Sequence, residues 1–310
     1  MKRLVHKCRK AGRVVCAVAA AVLSTGCSGL DLINAVTPSD GVLVTPALAY
    51  GPHPRQQLDL YRPEGMSGPL PVILFLYGGS WKEGDRADYA FAGRTLARAG
   101  FLVAVADYRV YPEIAFPAFV TDTAKAVRWL SEHAGEHAGM TDRIHLVGHS
   151  AGAHIAAMTA LDRRFLEAEG VHHDILGRWV GLAGPYAFYP SKTAAVSAVF
   201  EHLDDEDAAR PITFVDEKSP PALLLHGADD SIVIPLHSEK LARAMNDAGV
   251  DAEAHFYDGI GHVKLLLSLS PPFTGYASSL ADAARFLKSG AFPQANQTGQ
   301  AEQGSYAALP

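Results

Sequence analysis

The 310-residue chain lacks cysteine over most of its length, because Cys8, Cys16 and Cys27 are its three cysteines. Their confinement to the N-terminus excludes a disulfide framework, a cysteine nucleophile and a cysteine-ligated zinc site in the body of the protein. No Lys/Arg-rich run follows residue 13 and the formal net charge is −6, so nucleic acid is not predicted as a partner. With 48% hydrophobic and 19% charged residues, the chain can form a sizeable core, and wholesale disorder is excluded.

The N-terminal segment also lacks a hydrophobic run long enough to span a bilayer. Residues 14–23 form an apolar run of ten, whereas a transmembrane helix needs about 20 residues. Six basic and no acidic residues precede this run, and small residues follow it. Residues 1–26 are therefore predicted to be a secretory signal peptide. The sequence Leu23-Ser24-Thr25-Gly26-Cys27 resembles a bacterial lipobox, although Ser24 stands where a leucine is usual.

The lipobox resemblance implies that Cys27 becomes an acylated N-terminus that anchors an exported protein to a bacterial membrane. Several acyl chains give stable anchoring where one is marginal. The alternative is an ordinary signal peptide in which Cys27 is incidental. By analogy, Ser28 in place of aspartate after the cysteine fits the periplasmic face of an outer membrane. Loss of residues 1–26 would remove six of the 27 basic residues and leave a formal charge of −12.

The rest of the chain is predicted to be one α/β domain. Apolar runs at residues 71–76, 101–106, 144–147, 179–182 and 222–225 alternate with amphipathic helical patterns. Such runs are typical of strands buried in a parallel sheet, so we predict a mostly parallel sheet of about eight strands with helices on both faces. The predicted boundaries are a linker at 27–40, a domain at 41–290 with a short cap at 185–219, and a disordered tail at 291–310.

A candidate nucleophile lies between a strand-like run and a helical pattern. The sequence Gly148-His149-Ser150-Ala151-Gly152 fits G-x-S-x-G in the context that this motif requires, with a strand entering and a helix leaving. The turn would lift the Ser150 hydroxyl above the sheet edge, beside the positive end of the helix. Ser150 is therefore predicted to be the nucleophile. The alternative is a serine that only caps the helix.

A serine nucleophile needs a base, and the base needs a carboxylate partner. In this fold the chain order is serine, acid, histidine. Asp230 follows an apolar strand at the sheet edge where active sites lie, and it is favoured over its neighbour Asp229 as the acid. His262 follows the last predicted strand in the glycine-rich loop at residues 259–262 and is predicted to be the base. His237 and His255 are interpreted as structural.

The tetrahedral intermediate of acyl transfer also needs hydrogen-bond donors for its oxyanion. The Ala151 backbone N–H is predicted to be one donor, and the loop after the first long strand is expected to supply another. That loop has the sequence Leu76-Tyr77-Gly78-Gly79-Ser80-Trp81, in which glycines permit close approach of the backbone.

The order of these motifs resembles the α/β-hydrolase superfamily. Within it, the chain is similar to esterases and lipases related to hormone-sensitive lipase and kynurenine formamidase, over roughly residues 50–288. The motifs are Tyr77-Gly78-Gly79-Ser80-Trp81, Asp107-Tyr108-Arg109 and Gly148-His149-Ser150-Ala151-Gly152. The resemblance implies that the Gly79 and Ser80 amides serve the oxyanion and that Asp107 and Arg109 are structural. Tyr77 departs from the family pattern, which has histidine there.

The predicted function is hydrolysis of small or short-chain carboxylic esters through an acyl-enzyme, with no metal or organic cofactor implied. An arylformamidase-like amide hydrolase is the alternative enzyme. A lipid-tethered binding module without catalysis is the alternative from another class. The insertion contributes Pro185, Tyr186, Phe188 and Tyr189, which either line an acyl or aromatic pocket or pack a lid helix.

Overall fold

The computed structural model describes residues 29–66 and 68–293. The predicted signal peptide, Cys27 and residues 294–310 of the predicted tail lie outside the described residues. Within the described part, no helix combines the length and apolar character needed to cross a membrane.

Eight strands form one sheet. They are β1 (Val42–Ala49), β2 (Gln57–Pro63), β3 (Leu70–Leu76), β4 (Leu102–Ala106), β5 (Gly139–His149), β6 (Leu176–Leu182), β7 (Ala222–Gly227) and β8 (Ala252–Tyr257). The strand order is β1-β2-β4-β3-β5-β6-β7-β8. Strand β2 runs antiparallel to β1 and β4, and the remaining pairs are parallel. This arrangement confirms the predicted α/β class and the mostly parallel sheet.

Helices cover the sheet. They are α1 (Gly29–Val36), α2 (Ala90–Arg98), α3 (Ala118–His133), α4 (Ala151–Leu161), α5 (Arg164–Ala168), α6 (Leu236–Asp247), α7 (His262–Leu267) and α8 (Ser279–Ser289). Strands β4 and β7 are buried at every position, as expected where helices pack on both faces of a sheet. Their apolar runs, residues 102–106 and 222–225, are typical of strands buried on both faces.

The parallel strands place the candidate residues at one edge. Because β3, β5, β7 and β8 run in the same direction, the segments that follow their carboxyl ends meet there. Tyr77 follows β3, Ser150 follows β5, and Asp230 lies three residues beyond the end of β7. His262 begins α7, which follows β8 after a four-residue loop.

Within the predicted linker at 27–40, residues 29–36 form the helix α1, which was not predicted from the sequence. An isolated eight-residue helix is marginal in water, so tertiary contacts account for it. Ile33 is buried in the core. The Asn34 amide donates to the carbonyls of Ala87 and Asp88, and its oxygen accepts from the Phe91 N–H at 2.8 Å.

The structure also describes the predicted cap at 185–219 and the first residues of the predicted tail. Between residues 185 and 219 the chain forms four short 3₁₀ turns and no α-helix, so a lid helix is absent from this described segment. At the C-terminus, Phe292 stacks on Phe286 with ring centroids 5.0 Å apart. The beginning of the predicted disordered tail is therefore packed, because an aromatic side chain there can bury apolar surface against α8.

Candidate active site

Ser150 lies on a sharp turn between β5 and α4. Its backbone has φ 55° and ψ −121°, a conformation that costs free energy for a residue with a Cβ and is held by its surroundings. The flanking glycines are required by space. A Cβ at Gly148 would lie 2.3 Å from the Gly152 carbonyl oxygen, and a Cβ at Gly152 would lie 2.1 Å from the Leu76 carbonyl oxygen. Strand, turn and helix can therefore approach this closely only with glycine at both positions.

The Ser150 side chain does not cap the helix. Ser150 occupies the N-cap position of α4, but its hydroxyl makes no capping hydrogen bond. Its backbone N–H donates to the Leu182 carbonyl at 2.8 Å, which ties the turn to β6. The side chain is half-buried and lines a cavity. The hydroxyl is thus held at a cavity wall, where it can meet a ligand.

Asp230 and His262 are hydrogen-bonded. The distance from His262 Nδ1 to Asp230 Oδ2 is 2.7 Å. The other carboxylate oxygen of Asp230 accepts from the backbone N–H groups of Ile232 and Val233, each at 2.9 Å. Asp230 is buried whereas Asp229 is exposed, so the structure brings Asp230, and not its neighbour, to the histidine. Ser150 forms no hydrogen bond with either residue in the described part of the chain.

Asp230 remains a carboxylate despite its burial. Burial by itself would raise the pKa of Asp230, but hydrogen bonds from His226, His262 and the Val233 N–H outweigh it and hold the pKa well below its usual range. A permanent negative charge beside Nδ1 keeps the hydrogen of neutral His262 on that nitrogen. The other ring nitrogen, Nε2, is then free to accept a proton.

Two further histidines surround this pair, and the sequence did not single them out as site residues. His226 Nε2 lies 3.4 Å from Asp230 Oδ2. The His149 ring lies 4.8 Å from the His262 ring, and burial followed by the proximity of His262 lowers the pKa of His149 to about 3. Their positions in the sequence could have indicated them, because His149 ends β5 and His226 lies next to the end of β7, at the sheet edge where the site forms.

The predicted oxyanion loop runs beside the nucleophile. A Cβ at Gly78 would lie 3.1 Å from the Cβ of Ser150. The Gly79 carbonyl accepts from the N–H groups of Lys82 and Glu83, and the φ angles of Gly79 and Ser80 are 131° and 53°. Ser80 and Ala151 line the same cavity as Ser150, whereas Gly79 does not. The loop is therefore a tight turn whose residue Ser80 faces the space next to the nucleophile.

The Tyr77 side chain ties the start of this loop to neighbouring segments through hydrogen bonds. Its hydroxyl donates to Asp107 Oδ1 at 2.8 Å and accepts from Arg55 Nη2 at 2.8 Å. Arg55 also donates to the Gly84 carbonyl at 2.6 Å. Asp107 is in turn paired with Arg86. Asp107 thus has a structural environment, and so does Arg109, which forms an ion pair with the buried Asp122 at 2.7 Å.

The cavity next to Ser150 has a volume of about 190 Å³. It is lined by Ser80, Trp81, Ser150, Ala151, Pro185, Phe188, Thr193, Ala195, Val196, Ile232, Val233 and His237. Of the four insertion residues considered above, Pro185 and Phe188 line it. Tyr186 is buried against Trp179 with ring centroids 5.9 Å apart, and Tyr189 packs under Arg210. Across the described residues, no group of His, Asp and Glu side chains is arranged to hold a metal ion.

The fold is that of the α/β-hydrolases. Two family models match the chain: the BD-FAE model over residues 58–176 and that of the prolyl oligopeptidase family over residues 118–289. The second match covers more than half of the chain. The protein therefore belongs to the prolyl oligopeptidase family.

The chain is also similar to curated proteins that are named as esterases. The chain is 30% identical over 243 residues to a probable isoprenylcysteine alpha-carbonyl methylesterase of Arabidopsis thaliana, covering 71% of this chain and 51% of that protein. It is 29% identical over 204 residues to esterase LipC of Mycobacterium tuberculosis, covering 59% of this chain and 50% of that protein. The chain thus spans about half the length of these relatives.

Among solved structures, a truncated carbohydrate esterase from gut microbiota superimposes with a TM-score of 0.71 at 22% identity, covering 81% of this chain and 98% of that one. Esterase 2 of Thermogutta terrifontis gives a TM-score of 0.64 at 25% identity, covering 81% and 93%. At 22% identity, the likeness to the carbohydrate esterase shows the fold alone.

Proposed function

We propose that the protein is a serine hydrolase that cleaves carboxylic esters of small or short-chain acids through an acyl-enzyme. The observation that carries the proposal is the buried 2.7 Å bond between Asp230 and His262, at the same sheet edge as Ser150 on its tight turn. The esterases among the relatives support the same reaction class.

In the proposed reaction, the Ser150 hydroxyl oxygen attacks the ester carbonyl while His262 Nε2 takes the hydroxyl proton. Asp230 stabilises the imidazolium that forms. The oxyanion accepts hydrogen bonds from the Ala151 N–H and from the amides of Gly79 and Ser80. Loss of one such donor typically raises the barrier by about 2.7–4 kcal/mol. His262 then protonates the departing alkoxide. In the second half of the reaction water attacks the acyl carbonyl while His262 takes its proton, and the carbon–oxygen bond to Ser150 breaks as His262 returns that proton to the Ser150 oxygen.

The cavity supports a small acyl group. The leaving alcohol must lie at His262, which protonates it, whereas the 190 Å³ cavity is lined by Ser80 and Ala151 but not by His262. We therefore assign the cavity to the acyl group. The Trp81 and Phe188 rings stack with centroids 5.7 Å apart in its wall, and Phe200 packs edge-on against Trp81 at 5.0 Å. We expect this aromatic wall to limit the length of the acyl group that the cavity accepts.

The test is hydrolysis of p-nitrophenyl esters of increasing acyl length by the full chain and by Ser150→Ala. We expect turnover of short esters by the native protein, labelling of Ser150 by a fluorophosphonate, and loss of both in the variant. Undiminished hydrolysis by Ser150→Ala would contradict the proposal. Faster cleavage of a matching aryl formamide would assign amide hydrolysis instead. A folded native protein that neither cleaves nor labels would be a binding module.

We also propose that Cys27 is acylated and anchors the protein to a bacterial membrane at its periplasmic face. This proposal is supported by the lipobox-like sequence at residues 23–27 and the basic, apolar and small-residue order before it. We expect Cys27→Ser to leave the membrane fraction after cell fractionation. Retention of the variant in that fraction would contradict lipid attachment at this residue.

A further inference from the structure

His226 is a second histidine on the carboxylate of Asp230, and the proposed reaction does not use it. The Asp230 Oδ2 atom accepts from His262 at 2.7 Å, and His226 Nε2 lies 3.4 Å from the same oxygen. The side chains of His226 and Asp230 are both 0% exposed. A buried imidazole in contact with a buried carboxylate must present an N–H to it, because two lone pairs would repel.

The neighbours of His226 fix which nitrogen carries its hydrogen. His226 Nε2 lies 2.8 Å from the Val233 carbonyl oxygen, and a carbonyl can only accept, so Nε2 must be the donor. In a neutral imidazole Nδ1 is then an acceptor. It lies 2.7 Å from the hydroxyl oxygen of Ser238, which can donate to it. Ser238 is fully buried in α6, and within the described residues its hydroxyl hydrogen-bonds to no other side chain.

We propose that Ser238 and His226 are positioning residues for Asp230: Ser238 holds the imidazole ring of His226 in place, and His226 holds the carboxylate in the orientation that receives His262. The inference rests on the proposed function, in which Asp230 is the acid. Without the Ser238 hydroxyl, Nδ1 of the buried ring loses its hydrogen-bond donor, and the ring can turn. Its Nε2–H would then leave its position beside the Val233 carbonyl and Asp230 Oδ2, and the carboxylate would lose the contact that holds it toward His262.

The titratable groups around this chain of hydrogen bonds include two further histidines, and the charges of Lys240 and Arg210 act on one of them, His237. The His149 ring lies 4.8 Å from that of His262. His237 is adjacent to Ser238 on α6, and its Nδ1 accepts from the Ala187 N–H at 3.3 Å. Burial, followed by the proximity of His226, lowers the pKa of His237 to about 4. Neither group donates to Asp230, so the orientation of the carboxylate depends on His226, His262 and the backbone amides.

The test compares Ser238→Ala with Ser238→Thr, which keeps the hydroxyl, and with Ser279→Ala as a matched control. Ser279 is an equally buried hydroxyl whose partner is Ser268 at 2.6 Å. For short esters, we expect Ser238→Ala to lower kcat about 10-fold with KM within about 2-fold. The acid limb of kcat/KM should move downward by about half a pH unit, because a carboxylate displaced from His262 stabilises the imidazolium less. Ser238→Thr should restore kcat and the position of the acid limb, and Ser279→Ala should change neither of these two quantities.

A second pair of variants acts on His226 itself. The amide nitrogen of His226→Gln can replace the Nε2–H donor, whereas His226→Leu cannot. We expect the leucine variant to lose about 100-fold in kcat and the glutamine variant to retain most of it. Both proteins are compared at matched fluorophosphonate-accessible concentration, so a fraction of unfolded protein does not count as lost catalysis.

A measurement independent of activity is the ¹⁵N spectrum of histidine-labelled protein. The native protein should show His226 as the Nε2–H tautomer, and Ser238→Ala should keep that tautomer but with shifted ring ¹⁵N resonances, because Nδ1 has lost its donor. An Nδ1–H tautomer in the native protein, or a Ser238→Ala variant with unchanged His226 resonances, kcat and acid limb, would overturn the inference. A native protein with the expected tautomer that neither cleaves esters nor labels would instead contradict the proposed function and leave His226 with a purely structural role.

Discussion

Tyr77 occupies the place where the resembling esterases have histidine, and its surroundings explain how the exchange is accommodated. The ring is stacked between Tyr89, at 5.1 Å, and Tyr108, at 4.7 Å. Its hydroxyl lies between the Asp107 carboxylate and the Arg55 guanidinium. Burial, together with Tyr108 and Asp107, raises the pKa of Tyr77 well above its ordinary value. The phenol therefore remains a neutral donor that connects the start of the oxyanion loop to Asp107, and through Arg55 to its end at Gly84.

We expect Tyr77→Phe to keep the stacking and lose the hydrogen bonds, which leaves Asp107 and Arg55 with one partner fewer. The cost for such buried groups is about 1–3 kcal/mol in the free energy of unfolding. Because the loop carries Gly79 and Ser80, kcat for short esters should fall more than KM rises. Urea unfolding and steady-state kinetics measure the two effects. Equal stability and kcat in the variant would show that the hydroxyl does not position the loop.

Phe188 is the residue at which acyl length can be tested. It is buried, lines the cavity and stacks on Trp81. Phe188→Ala should enlarge the cavity and shift the preferred p-nitrophenyl ester to a longer acyl chain, with an unfolding cost of about 3–5 kcal/mol. The matched control is Phe286→Ala, which removes an equally buried ring packed on Phe292. A shift in acyl preference in the control, or none in Phe188→Ala, would contradict the assignment of this cavity to the acyl group.

At the residue scale, the sequence predicts groups whose role is set by chain order and spacing. Ser150, Asp230 and His262 each follow a recognisable strand, so they could be placed at one sheet edge before any contact was known. The roles of His226 and Tyr77 depend on partners 12 and 30 positions away, Ser238 and Asp107. No local pattern encodes such contacts, so they required the structure.

Among the elements, the turn between β5 and α4 is tightly constrained by its backbone. Gly152 lies in the first turn of α4, where alanine would ordinarily stabilise a helix by about 1 kcal/mol. Here a Cβ would lie 2.1 Å from the Leu76 carbonyl oxygen and 2.4 Å from that of Tyr77. The helix therefore starts directly against the end of β3, and this contact keeps Ser150 next to the oxyanion loop.

We expect Gly152→Ala to destabilise the fold by about 3 kcal/mol, in the range of overpacked cores, and to slow fluorophosphonate labelling because Ser150 moves away from the loop. Gly29→Ala is the matched control, since it adds the same methyl at the start of α1 where nothing lies within 4 Å. Thermal unfolding and labelling rates are the measurements. A Gly152→Ala protein as stable and reactive as the control would show that the close packing is dispensable.

The sequence predicts best those elements whose own residues determine their structure. Strands β4 and β7 are continuous apolar runs and were expected nearly at their observed bounds. Helix α1 was missed because eight residues without a strong local signal are ordered by distant contacts, above all those of Asn34 with the residues before α2. The insertion was likewise undetermined, since its turns take their shape from aromatic packing on Trp81.

At the scale of the whole molecule, buried neutral histidines make the fold sensitive to acid. The chain has 14 histidines, and three distributed over the central layer are His145, His149 and His154, at 3%, 5% and 0% exposure. Burial is the main cause that lowers their pKa values, to about 4, 3 and 4 respectively. In the unfolded chain a histidine has a pKa of about 6.5. The unfolded state therefore binds more protons than the folded state between these limits.

Because the unfolded chain binds more protons, a lower pH destabilises the folded protein. Near pH 5 the unfolded chain holds about three more protons on these histidines, so the free energy of unfolding falls by about 4 kcal/mol per pH unit as the pH is lowered. The stability is present above about pH 6.5 and is lost progressively toward pH 4.

His145→Asn removes one of the three groups that bind a proton in the unfolded chain but not in the folded protein. The asparagine keeps an acceptor for the Arg178 N–H, which His145 Nδ1 binds at 3.0 Å. We expect its slope of unfolding free energy against pH, from urea titrations at pH 4.5–7, to be smaller by about 1.4 kcal/mol per unit. His172→Asn, at a side chain 85% exposed, should leave the slope unchanged, and an unchanged slope in His145→Asn would show that the acid sensitivity arises elsewhere.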